Sequence, residues 1–259
     1  MRVKKLAVII IAIVFSLVML VSCIALFSVK KINVNFAVGE KTDTLSVQNH
    51  LEEYIGKNLL FLDTEEVEQS LQDFYYMEVL SVEKEFPNVI NVNVKERREV
   101  YDIVSNGTVY VTTDSGFVLN SFADLGAENS SRDKIRIELD GVSVEDATLG
   151  KVITTNDNAF LSEVFKMAKS VNLINCIESI KLEKAVEWQN AYFYTYTGVK
   201  ILITNVLEDG LGVDRIKVAF DKYDEGATDF QKTFQTIVAV QQFDEKTGEY
   251  LGIRATFTE

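Results

Sequence analysis

Residues 6–27 read LAVIIIAIVFSLVMLVSCIALF, 22 apolar or small residues without a charge. As a helix rising about 1.5 Å per residue such a run spans roughly 33 Å. The hydrocarbon core of a bilayer is about 30 Å thick, so the run predicts one membrane-crossing helix. Behind it the period drops to two. Residues 30–37 place Ile32, Val34 and Phe36 on one face and Asn33 and Asn35 on the other, the pattern of a half-buried strand. Helical spacing follows: Ser46 reads as an N-cap, with Val47, Leu51, Tyr54 and Ile55 on one face and Gly56 as the stop. Asp63 and Glu66 have the spacing of a capping box, opening a helix that buries Val67, Leu71 and Phe74. Residues 77–84 and 89–95 alternate again on either side of Phe86-Pro87-Asn88, which predicts a hairpin. The order is β-α-α-β-β.

From residue 98 onward the alternation is shorter and more frequently interrupted. Strands are predicted over 101–104, 108–112, 117–120, 135–139, 177–182, 191–195 and 199–204. A helix capped by Asn156 or Asp157 buries Phe160, Leu161, Val164, Phe165 and Ala168. A second, over 212–223, buries Val213, Ile216, Phe220 and Tyr223. Residues 234–243 and 250–258 predict a closing hairpin whose last strand sets Leu251, Ile253, Ala255 and Phe257 against Gly252, Arg254 and Thr256. Residues 123–133 (ADLGAENSSRD) read as a flexible insertion. The expected class is α+β: a tail over 1–5, a transmembrane helix over 6–27, a first domain over 29–97, and a mixed α/β second domain over 98–259 with a mainly antiparallel sheet.

Charge orients this arrangement. Arg2, Lys4 and Lys5 precede the apolar run and carry +3, while the remainder, 23 basic against 39 acidic residues, carries −16, giving the net −13. The positive-inside rule puts the N-terminus in the cytoplasm and the body outside, a single-pass type II topology. Leu20-Val21-Ser22-Cys23 has the look of a lipoprotein cleavage site, but Ile24, Ala25, Leu26 and Phe27 prolong the helix where a polar tether would open. An acidic body is a poor partner for nucleic acid. The chain has one His and two Cys, too few for a zinc site of the usual ligand count, and every histidine-dependent triad would need His50. His50 sits among helical surface positions with no nucleophile motif near it. No catalytic, cofactor-binding or metal-binding residue is assigned, and no cofactor is expected.

Certain words in the first domain carry a resemblance. They are Gly56-Lys57-Asn58-Leu59-Leu60-Phe61-Leu62-Asp63, then Val67 and Leu71, Tyr76-Met77, Leu80-Ser81-Val82-Glu83-Lys84, Phe86-Pro87-Asn88-Val89-Ile90 and Val92-Asn93-Val94-Lys95-Glu96-Arg97. Asp114-Ser115-Gly116-Phe117-Val118-Leu119 follows downstream. In this order after a membrane span they resemble the FtsQ/DivIB cell-division family, whose first extracytoplasmic domain is a POTRA domain. The likeness covers residues 1–120 and fades beyond. It implies a non-enzymatic divisome scaffold at the septum, linking FtsB/DivIC-like and FtsL-like bitopic proteins to the septal peptidoglycan synthase complex. It also implies that the last strand takes up a partner strand, through Tyr250, Leu251, Ile253, Arg254, Thr256 and Phe257. The alternative is a membrane-anchored or lipidated extracellular binding protein for wall polymer or a small ligand.

Overall fold

The computed structural model describes residues 2–37, 39, 41–126, 133–171, 176–208, 210–226 and 235–258. Part of the expected insertion, residues 127–132, and Phe234 at the start of the closing hairpin lie outside them. The chain divides into two compact units, Met1–Arg97 and Arg98–Glu259.

The first unit begins with α1 (Arg2–Leu26), most of whose described side chains, among them Ile10, Phe15, Val18 and Ile24, are exposed and apolar. Among the described residues no helix is long and apolar enough to cross a membrane. Residues 6–9 and 20 of the expected span lie outside the described side chains. Next come β1 (Lys31–Ala37), α2 (Thr44–Leu51), a 3₁₀ turn over Glu52–Tyr54, α3 (Thr64–Ser70), β2 (Met77–Glu85) and β3 (Val89–Glu96). β3 lies in the middle, parallel to β1 and antiparallel to β2. Its apolar positions Ile90, Val92 and Val94 are buried against Val47, Leu51, Tyr54, Leu59, Val67 and Leu71. The asparagines that alternate with them form a ladder on the opposite face. Asn33 Nδ2 donates to Asn91 Oδ1 at 2.8 Å, and Asn35 Nδ2 to Asn93 Oδ1 at 2.9 Å. Polar side chains thereby satisfy one another across the parallel pair, which fixes its register.

Both helix starts in this unit differ from expectation. Asp43, not Ser46, caps α2: its backbone is extended and its carboxylate accepts the Leu45 N–H at 3.0 Å. Ser46 lies in the first turn and donates its hydroxyl to Asp43 Oδ2 at 2.6 Å, so the stronger acceptor takes the cap. Asp63 does cap α3, accepting from the Glu65 N–H, but the capping box does not close, because Glu66 reaches Lys57 Nζ at 3.2 Å. Ile55, expected in the core, is exposed.

The second unit contains β4 (Tyr101–Ser105), β5 (Thr108–Thr112), β6 (Val118–Ala123), β7 (Ile135–Asp140), β8 (Val144–Asp146), β9 (Thr154–Thr155) and α4 (Asn158–Ser170). It continues with β10 (Ile177–Lys184), β11 (Gln189–Thr195), β12 (Lys200–Ile203), α5 (Gly212–Gly226), β13 (Thr236–Phe243) and β14 (Tyr250–Thr258). Among the described residues, nine strands form one sheet in the order β14-β13-β12-β11-β10-β7-β4-β5-β6. Three of its pairings, β12–β13, β10–β7 and β4–β7, are parallel and the others antiparallel, a mixed sheet with antiparallel pairs in the majority. The short pair β8–β9, too brief for alternation to reveal, stands apart.

Burial alternates along the strands. Leu182, Ala191, Phe193, Ile201, Ile203, Ile237 and Ala239 are buried in one core with α4 and α5, while Lys181, Tyr192, Lys200, Leu202 and Val238 are half-buried on the other face. Phe165 of α4 stacks on Tyr101 with ring centroids 5.0 Å apart. Asp157 caps α4 as expected, accepting from the Phe160 N–H at 3.1 Å. The buried Arg215 of α5 donates to the carbonyls of Thr204 and Asn205, where the chain leaves β12, at 2.5 and 3.2 Å. These bonds satisfy a buried cation while tying helix to strand.

Candidate docking edge

The nine-stranded sheet ends on one side at β14, which pairs with β13 from Thr236↔Thr258 to Phe243↔Tyr250. The turn between them is built on Asp244. Its carboxylate accepts the N–H groups of Lys246 and Thr247 at 2.9 and 2.7 Å and the Thr247 hydroxyl at 3.0 Å. These bonds, that from the Thr247 N–H foremost, hold the Asp244 carboxyl below its ordinary value. Gly248, at φ 69°, supplies the left-handed residue that the turn needs.

The direction of the β14 backbone groups follows from its neighbours. Lys200 N–H donates to the Gln235 carbonyl at 2.9 Å, so Gln235 directs its polar groups toward β12. Strand alternation makes Ile237 and Ala239 do the same, leaving Thr236, Val238 and Val240 to bond β14. The Thr258 hydroxyl, which reaches the Thr236 carbonyl at 3.3 Å, agrees with that assignment. The partners of those residues, Thr258, Thr256 and Arg254, therefore point their N–H and C=O groups inward at β13. Ile253, Ala255 and Phe257 point theirs outward, where no strand lies among the described residues.

The expected site residues divide into three groups. Tyr250 and Leu251 are exposed, and the Tyr250 ring meets Phe243 edge-on at 5.8 Å. Ile253 and Phe257 are partly buried against the core that contains α5, with Lys222 Nζ 5.8 Å from the Phe257 ring centre. Arg254 and Thr256 are, respectively, exposed and half-buried, opposite Val240 and Val238 in β13. Leu251 departs from the expected apolar face because Gly252 adopts φ 123° and the register shifts between Gln242 and Phe243, so the alternation breaks there. Sequence reasoning missed two contributors from β13, the exposed Val240 and Phe243. It also missed Ala255, whose small buried side chain gives no sign of its outward backbone. The alternation of Val238 and Val240 with the buried Ile237 and Ala239 was the available signal for β13.

Several titratable groups elsewhere are held in structural pairs. Lys134 Nζ lies 2.9 Å from Asp102 and 3.4 Å from Glu99. Burial pushes the Asp102 carboxyl up, against the opposing pull of Lys134. Arg136 reaches Asp124 at 2.8 Å, and that hydrogen bond raises the guanidinium while lowering the carboxyl. His50 is a partly exposed residue 3.8 Å from Glu53, with its ring edge-on to Phe74. Among the described residues no group of three or more His, Cys, Asp or Glu could hold a metal ion.

Comparison with known proteins bears on the first unit most directly. Residues 27–97 match the family described as the POTRA domain, FtsQ-type. The cell division protein DivIB of Clostridium acetobutylicum is 24% identical over 157 residues, 61% of this chain and 55% of that protein. Through this domain the chain is similar to the FtsQ/DivIB family. The resemblance carried by Gly56–Asp63 and Phe86–Ile90 in the sequence is thus borne out, and β1, α2, α3, β2 and β3 are its FtsQ-type POTRA domain. The chain spans about half the length of the DivIB relative it matches. A solved structure, the major extracytoplasmic domain of the trans isomer of DivIB from Geobacillus stearothermophilus, aligns with 47% of this chain and 87% of its own. That alignment has 12% identity and a TM-score of 0.28.

Proposed function

We propose that this FtsQ/DivIB-type chain is a non-enzymatic division scaffold. In this reading α1 crosses the membrane once, with its N-terminus in the cytoplasm, and both units lie outside at the septum. The second unit takes up an FtsB/DivIC-like bitopic protein, accompanied by an FtsL-like one, and so links them to the septal peptidoglycan synthase. The observation that carries the docking step is the outward row of backbone groups on β14 at Ile253, Ala255 and Phe257. Unpaired strand edges are templates for β-augmentation. Tyr250, Leu251, Arg254 and Thr256 would then contribute side-chain contacts beside the added strand. The membrane step rests on the uncharged run of residues 6–27 and on the exposed apolar side chains of α1.

A fluorescent fusion of the full chain, in cells depleted of their own copy, tests the proposal. The fusion is expected to gather at midcell and restore septation. A fusion spread evenly around the envelope, in cells that divide normally without it, would contradict the proposal.

A further inference from the structure

Where the chain leaves α1 there is no linker. The Leu59 N–H donates to the Phe27 carbonyl at 2.7 Å, Val29 N–H to Lys57 O at 2.9 Å, and Gly56 N–H to Val29 O at 2.9 Å. Lys30 N–H donates to Asn88 O at 2.9 Å, and Ser28 forms an antiparallel bridge with Asn58. The Phe27 ring meets Phe86 edge-on at 6.0 Å. These bonds hold the loop over residues 55–61 and the hairpin turn over 86–88 at the very end of α1. Phe61 is two residues from Leu59, so its Cα lies within about 7 Å along the chain from the residue bonded to Phe27.

That loop and turn carry an unusual load of uncovered apolar surface. Phe61 is 85% exposed, and Ile55, Leu60 and Phe86 are each about half exposed. Singly exposed apolar residues need no explanation, but four gathered around one helix end mark a contact site. The backbone bonds of Phe27, Val29 and Lys30 and the Phe27–Phe86 contact bring them to the end of the exposed apolar helix α1. Lys30 and Lys31 stand beside them, exposed, and neither enters an ion pair among the described residues.

We propose that this end of the POTRA domain is seated in the membrane interface, with Ile55, Leu60, Phe61 and Phe86 entering the headgroup and upper acyl region and Lys30 and Lys31 meeting lipid phosphates. The occupant of the patch is the phospholipid bilayer surface. The inference rests on the proposed crossing of α1, which sets the patch at the height where that helix leaves the hydrocarbon. Aromatic and aliphatic side chains favour this zone, while lysine stems reach from it to the phosphates. The −16 charge of the body works against anionic lipid, so apolar insertion is the leading contribution and the two lysines the lesser one. A domain seated in this way has its orientation to the membrane restricted by contacts beyond α1 itself.

Spin labels in the full chain, reconstituted into phosphatidylcholine–phosphatidylglycerol vesicles, decide the matter. In a background with Cys23→Ala and Cys176→Ala, single cysteines replace Phe15, Phe61, Phe86 or Val186, and collision with oxygen is compared with collision with a water-soluble nickel chelate. Phe15→Cys reports on α1, and Val186→Cys, in the second unit, is the aqueous control. The expected result is an oxygen-to-nickel ratio at Phe61→Cys and Phe86→Cys several-fold above that at Val186→Cys and below that at Phe15→Cys. If Phe15→Cys reports lipid while both loop labels match Val186→Cys, the seating is wrong and the membrane crossing stands. If Phe15→Cys itself reports water, the crossing is wrong and the seating falls with it.

Discussion

The two units use the same device, a sheet with one buried face, at different scales. In the POTRA domain the uncovered face is closed by its own amides, Asn33 to Asn91 and Asn35 to Asn93. In the second unit the face opposite α4 and α5 carries half-buried Tyr192, Tyr194, Leu202 and Val238 beside Lys181 and Lys200. The small sheet has little apolar surface to offer beyond the end near α1. The large one keeps apolar and aromatic groups up to its last strand, and that strand has an unpaired side. Sheet architecture alone would therefore not make the docking site proposed for β14. What distinguishes β14 is an outward row of backbone groups flanked by the exposed Val240, Phe243, Tyr250 and Leu251.

Core substitutions should separate the units most strongly. The chain's single Trp, Trp188, lies in the second unit and reports on it alone. Phe193 is fully buried in that unit, and Phe193→Ala is expected to cost about 3–5 kcal/mol, shifting the Trp188 urea transition to lower denaturant. Leu51 is equally buried in the POTRA domain, and Leu51→Ala should cost about 2–5 kcal/mol there while leaving the Trp188 transition in place. A Trp188 transition that moves with Leu51→Ala would show the two units unfolding as one.

Smaller effects sharpen the contrast. Asp157 caps α4 and also pairs with Lys184 and Gln189, each at 2.8 Å. Burial pushes its carboxyl up, but Lys184, the Phe160 N–H and Gln189 outweigh that, leaving it below the ordinary 3.8. A depressed carboxyl stabilises the fold above its unfolded value and loses that contribution as pH falls through the folded one. Asp157→Ala should therefore cost about 1–2 kcal/mol at neutral pH. Its stability gap from the wild type, followed by Trp188 emission, should narrow as pH drops below the ordinary carboxylate value. In the POTRA domain Asp63 caps α3 with no such network, and Asp63→Ala should cost about 1 kcal/mol by far-UV circular dichroism. The exposed Lys57–Glu66 pair is the smallest case: Glu66→Gln should change stability by no more than about 1 kcal/mol.

Local structure is legible in the sequence, and distant pairing is not. Pro87 between two alternating runs places the β2–β3 hairpin, and Asp157 places the start of α4, because a turn or a cap is decided by a few adjacent residues. The strand order is a different matter. Nothing in residues 30–37 shows that β1 pairs in parallel with β3 rather than with β2, since that choice depends on helices packing between them. The strand proposed for docking, β14, is legible as a strand in the sequence; its place at the end of the sheet is seen in the structure. Its broken face was not legible: Gly252 looks like any polar-face residue until its left-handed φ turns Leu251 outward. The outward direction of the Ile253, Ala255 and Phe257 amides needed the β12–β13 pairing, which joins segments separated by α5.

That backbone direction gives the most direct test of the proposed scaffold. Ala255→Pro removes an outward N–H and leaves the bonds to β13 in place, as proline on an edge strand can. Thr256→Ala keeps every backbone group. With each full-chain variant co-expressed beside the FtsB/DivIC-like protein of the same organism, Ala255→Pro is expected to lose capture while its Trp188 unfolding transition stays near that of the wild type. Thr256→Ala should retain capture. A correctly folded Ala255→Pro chain that binds this partner as tightly as the wild type would contradict docking along β14.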